Sequence, residues 1–211
     1  MSCKPIIFNT EMVRAIFDSN KTTTRRVIKP QPQANANMMF CFAGSCKKEI
    51  CRWLDRKNDV RFTPPCCGDG ILWVRETWCE RLGDQSKLGR YIYKAHADPQ
   101  DEIHQFALGM NKWRPSIHMP REAARLFLRV TDIRAERLLD MTVDDAIAEG
   151  INTDGIITSE GPIEYRVWNR MEELWDGTIK PTDLPLYGWA ANPWVWVIEF
   201  ERTEKPEGWC K

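Results

Sequence analysis

Asn192-Pro193-Trp194-Val195-Trp196-Val197-Ile198-Glu199-Phe200-Glu201 is the stretch that decides the fold. Trp194, Trp196, Ile198 and Phe200 alternate with Val195, Val197 and Glu199, the period-two pattern of a strand. Both alternating sets are mostly apolar, so the strand expected over Pro193 to Glu201 is buried on both faces and central in its sheet. Other strands read outward from it: Lys4 to Phe8, Ile71 to Trp78 behind the turn Gly68-Asp69-Gly70, and Tyr91 to Ala95. Ala124 to Asp132 places Leu126, Leu128 and Val130 on one face, and Ile133 to Leu138 continues it past a kink. Three short helices are predicted. The first spans Glu11 to Ser19 with Thr10 as its N-cap. The second opens at the capping box Thr142-Val143-Asp144-Asp145 and stops at Gly150, and the third spans Ile163 to Trp175. Five or six scattered strands with three helices predict an α+β fold, a small mixed or antiparallel barrel with peripheral helices. A single domain covers 1–211, with an irregular insertion at about 33–69 that holds five of the eight cysteines.

At 211 residues the chain can bury a full domain core. No apolar run approaches the roughly 18 residues of a membrane-spanning helix. The N-terminus lacks a signal-peptide pattern, so a cytoplasmic protein with reduced thiols and no membrane partner is expected. The net charge is zero but segregated. Residues 112 to 137 carry seven basic against three acidic residues, and 138 to 185 carry eleven acidic against three basic. This permits a local nucleic-acid surface, or mutual neutralisation across the fold.

Lys21-Thr22-Thr23-Thr24-Arg25-Arg26 concentrates an amine, three hydroxyls and two guanidinium groups without a local acid. Three β-branched residues in a row favour an extended segment. Thr22, Thr24 and Arg26 then face one way, and Lys21, Thr23 and Arg25 the other. A turn at Asn20 would bring Lys21 back over Thr24. The set suits an anionic or carbonyl-bearing ligand.

The order of these motifs resembles the ASCH domain of the PUA-like superfamily of small β-barrels. The resemblance is carried by Lys21-Thr22-x-Thr24-x-Arg26, Gly68-Asp69-Gly70-Ile71-Leu72-Trp73-Val74, Leu139-Asp140-x-Thr142, Ala148-Glu149-Gly150 and Trp196-Val197-Ile198-Glu199-Phe200. The segments Trp73-Val74-Arg75-Glu76-Thr77-Trp78 and Trp113-Arg114-Pro115-Ser116-Ile117-His118-Met119-Pro120-Arg121 narrow it to the larger ASCH-type proteins of bacteriophages and prophages. A phage origin would place the protein in the host cytoplasm. One ASCH branch removes the acetyl group of N4-acetylcytidine, and its lysine, threonine and glutamate map onto Lys21, Thr24 and Glu149. The resemblance therefore implies a hydrolase of the amidohydrolase type, working without a metal cofactor on an N-acylated nucleoside or nucleic-acid base. A non-catalytic module binding RNA or modified DNA, and a ribonuclease, stand beside it.

In such chemistry Thr24 supplies a hydroxyl or orients a water. Lys21 becomes a base only if its pKa falls, and Glu149 exchanges a proton. Neither Lys21 nor Glu149 reads as core, so both should tolerate truncation. Thr22, Arg25 and Arg26 are further ligand-binding candidates. Arg75 and Glu76 sit in an apolar strand, either as a buried ion pair or as pocket lining. Trp113, Arg114, His118 and Arg121 would stack a base and hold a phosphate, or form a packed loop. Cys41, Cys46, Cys51 and Cys66 offer loosely spaced zinc ligands, against unpaired thiols in a variable insertion.

Overall fold

The computed structural model describes residues 3–33, 38–41, 52–55, 60–66, 70–80, 90–97, 112–151 and 162–209, with 38–41 and 52–55 defined by backbone alone. The strands are β1 (Cys3–Ile7), β2 (Thr23–Val27), β3 (Met38–Cys41), β4 (Arg52–Asp55), β5 (Val60–Phe62), β6 (Ile71–Arg75), β7 (Trp78–Glu80), β8 (Tyr91–Tyr93), β9 (Phe127–Arg137) and β10 (Trp194–Thr203). The helices used below are α1 (Thr10–Phe17), α2 (Val143–Ala148) and α3 (Ile163–Asp176). A mixed five-stranded sheet runs in the order β1-β6-β9-β10-β2, with β1 parallel to β6 and the other pairs antiparallel.

The β10 strand is central, as its two apolar faces require. Trp196, Ile198 and Phe200 pack with Ile6, Phe8, Val13 and Ile16, while Val195 and Val197 pack with Leu138, Met141, Ala146, Val167, Met171 and Trp175. One face thus lies under α1, the other under α2 and α3. Each such Val, Ile or Leu contributes roughly 1.5–3 kcal/mol over exposure. A bulge shifts the β9–β10 register between Glu199 and Phe200, which accounts for the kink expected in β9. A third cluster gathers Ile71, Trp73, Trp78, Met119, Phe127 and Trp209.

Several expectations need correction. Asn9, not Thr10, caps α1: its side chain accepts from the Met12 N–H at 2.8 Å. The strand from Ile71 ends at Arg75, and Trp78 opens a separate ribbon with β8. Ten strands are described, not five or six. The insertion is not wholly irregular, since β3, β4 and β5 form their own three-stranded sheet. Among the described residues the main sheet is open, with β1 and β2 as its edges. A side chain bridges the gap instead of a ladder: Arg26 Nη2 donates to the Ile7 carbonyl at 2.9 Å. Among the described residues, no helix is long and apolar enough to cross a membrane.

Candidate functional site

The site is assembled where α1 ends. Ser19 takes a left-handed φ of 61°, and the N–H groups of Asn20 and Lys21 both return to the Ala15 carbonyl, at 2.8 and 3.0 Å. That turn aims Lys21 at the end of α2. The helix stop is equally well determined. Thr142 Oγ1 accepts from the Asp145 N–H and Asp145 answers the Thr142 N–H, the expected capping box. Gly150 leaves the helix at φ +87°, and a Cβ there would stand 3.0 Å from the Cβ atoms of both Ala15 and Lys21. This close approach lets Lys21 and Glu149 form a β-bridge although 128 residues separate them.

Lys21 Nζ donates to Glu149 Oε2 at 2.8 Å, to the Glu149 carbonyl at 2.7 Å and to the Thr23 carbonyl at 2.7 Å. Three acceptors match the three hydrogens of an ammonium. Lys21 is 2% exposed and Glu149 8%, so both belong to the interior, contrary to their reading as non-core positions. Burial pushes the Lys21 ammonium below the ordinary lysine range. Glu149 pulls it back up, while Arg26 and Arg25 push it down.

Glu149 divides its oxygens: Oε1 lies 3.3 Å from Arg25 Nη1. Arg25, 3% exposed, also meets Glu136 at 2.8 Å and Asp145 at 3.6 Å. Arg134 extends this network to Glu136, Asp132 and Glu199. Burial pushes the Asp145 carboxyl up, but the Thr142 hydrogen bonds and the charges of Arg25 and Arg134 hold it below its ordinary value. Arg25 is therefore committed to carboxylates, not open to a phosphate. The acids missing from its own segment come from β9 and α2. Its Nε, also buried, has no acceptor among the described residues.

A cavity of about 40 Å³ wraps the free edge of β2. Its polar wall is Thr24, Arg25, Arg26 and Glu149; its apolar wall is Met12, Ile151, Met171, Leu174 and Trp175. Sequence reasoning missed that apolar wall, although α3 was legible as a helix. At Met12, Arg26 and Thr178 the cavity adjoins a groove of about 700 Å³ between the β1 and β2 edges. The Arg26 guanidinium stands 5.4 Å from the Phe8 ring centre at this junction. Thr22 is exposed, its backbone tied to Ala148 and Phe200.

The remaining candidates lie elsewhere. Glu76 is 1% exposed and held by both nitrogens of an Arg125 fork at 2.9 and 2.8 Å, the ion-pair alternative. Arg75 donates to the Met119 carbonyl. Arg114 lies over the Trp78 ring, and Arg121 over Trp209 at 4.1 Å. His118 is exposed and Trp113 half-buried. Arg125, Arg129 and Arg134 are each matched by an acid, which is neutralisation within the fold. Cys46 and Cys51 lie outside the described residues, Cys41 is defined by backbone alone, and Cys66 is buried. No family model matches the chain, and no curated protein or solved structure matches it either.

Proposed function

We propose that the protein is an ASCH-type amidohydrolase of PUA-like descent that removes an acyl group from an exocyclic nitrogen of a nucleoside or nucleobase. The observation that carries this reading is a buried Lys21–Glu149 contact of 2.8 Å beside a cavity that Glu149 and Thr24 both line. Amide hydrolysis needs a hydroxyl, a base for its proton and an acid for the leaving amine. Burial lowers the hold of Lys21 on its third proton, and Glu149 Oε2 is positioned to receive it. With that proton on Glu149, Lys21 Nζ is a base. Thr24 Oγ1 attacks the carbonyl carbon and its proton passes to Lys21. The C–N bond breaks as Glu149 gives its proton to the amine. Water then cleaves the threonine ester, restoring the hydroxyl and releasing the acid, and the pair again carries one shared proton. A free nucleoside suits the fold better than a strand, because Arg125, Arg129 and Arg134 are each matched by an acid within the fold.

A second reading, a binding module without chemistry, is favoured by one observation. All three ammonium hydrogens of Lys21 have acceptors, as a static cation would. The test incubates the protein with N4-acylcytidines and follows deacylation by mass spectrometry, alongside equilibrium binding. Deacylation that is lost in Lys21→Arg supports the enzyme, since arginine keeps the charge but cannot give up a proton. No turnover, with nucleoside binding unchanged in Lys21→Arg, leaves the binding module.

A further inference from the structure

We infer that α3 acts as a size limit on the acyl group, admitting an acetyl-sized substituent and excluding longer chains; this rests on the amidohydrolase reading. The cavity beside Thr24 and Glu149 measures about 40 Å³. A water molecule needs about 10–15 Å³ of such free space, so the cavity holds roughly three non-hydrogen atoms. A nucleoside does not fit there. It fits the adjoining groove of about 700 Å³, which meets the cavity at Arg26. Only a small substituent of the base then passes the junction.

The two walls indicate what that substituent is. One side is polar, with Thr24, Arg25 and Arg26 of β2. A carbonyl oxygen accepts from hydroxyl and guanidinium groups of this kind. The opposite side is the apolar surface of Met171, Leu174 and Trp175, suited to a methyl group. An acyl group carries both chemistries within two or three atoms. The α3 wall is also fixed. Met171 and Trp175 belong to the second core cluster, the Trp175 indole donates to the Tyr187 carbonyl at 2.8 Å, and Thr178 Oγ1 donates to the Trp175 carbonyl at 2.7 Å. A wall anchored this way does not yield to an added methylene.

The test compares N4-acetyl-, N4-propionyl- and N4-butyrylcytidine as substrates of the wild type and of Leu174→Ala. Leu174 is half-buried, so this variant opens the cavity with least disturbance to the core. The wild type should lose roughly 10-fold or more in kcat/KM per added methylene, and Leu174→Ala should raise the propionyl-to-acetyl ratio of kcat/KM by most of that factor. Equal rates along the series, or a ratio unmoved in a folded, active variant, would overturn the size limit. A second measurement needs no turnover and no variant: acetamide and butyramide are titrated while the Trp175 indole N–H is followed by NMR. A shift with acetamide but not butyramide supports the limit. Equal shifts, or none, reject it. Selective acetamide binding without any deacylation would reject the hydrolase and leave the size limit standing.

Discussion

Glu76 and Glu149 are both buried carboxylates paired with cations, but they serve different ends. Glu76 has both oxygens taken by one Arg125 fork, and that guanidinium rests 3.9 Å from the Tyr93 ring centre. Arginine does not release a proton in proteins, so Arg125 cannot serve as a base, and the fork clamps the end of β6 to the start of β9. Glu149 splits its oxygens between Arg25 and a lysine whose hold on its proton is weakened by burial, and it borders a cavity. A buried ion pair alone therefore marks nothing. A partner that can lose its charge, next to space for a ligand, marks a site.

The sharpest way to break this contrast is to exchange the cations. Lys21→Arg should lower deacylation of an N-acylated nucleoside by about 10²-fold or more, the scale of a positioned acid or base, while Arg125→Lys leaves turnover near wild type. Steady-state kinetics on both variants decides it, and equal effects would erase the distinction. Stability comes next. Glu149→Ala should cost about 3–5 kcal/mol, because it strands the buried Lys21, and Glu76→Ala should cost less, because Arg125 is partly exposed. Lys21→Met combined with Glu149→Leu should cost clearly less than the two single truncations summed, since Arg25 keeps Glu136 and Asp145. Urea unfolding midpoints measure this, and strict additivity would count against a coupled pair.

The pH responses sharpen the contrast further. Lys21 in the folded protein titrates below its ordinary 10.5. Between those two pKa values the unfolded chain binds the extra proton, so stability should rise with pH across that window and level off above it. Unfolding free energies of the wild type minus Lys21→Met should show this alkaline rise. The smallest effect concerns His96, beside Arg125. Burial first, then the Arg125 charge, hold His96 below its ordinary 6.5. Its contribution is complete above 6.5 and is lost as pH falls through the folded value. His96→Asn should flatten that acid slope slightly, because the ring is exposed.

What could be read from the sequence divides along physical lines. The central place of β10 was legible because two apolar faces have one explanation in a sheet. The Thr142 capping box and the Gly150 stop were legible because their partners lie within a few residues. The role of Arg25 was not, since its acids arrive from β9 and α2 and no local pattern announces them. Nor was the burial of Lys21, a residue type found mostly outside. Asn9 and Thr10 are adjacent cap formers, and only the backbone chooses between them. The short strands β3 to β5 span three or four residues each, too few for alternation to show. The meeting of Lys21 with Glu149 was suggested only by motif order, because propensity says nothing across such a separation.

Gly150 carries no functional group, yet a saturation-mutagenesis map would score it beside Lys21 and Glu149. Any larger residue faces both the left-handed backbone and the two Cβ atoms 3.0 Å away. The chain would relieve that crowding by parting α1 from the end of α2, and the β-bridge would open with it. Activity would fall although every reactive atom was still present. Such a map would flag position 150 as catalytic, and only a folding measurement run beside it would reveal a hinge pin with no chemistry of its own.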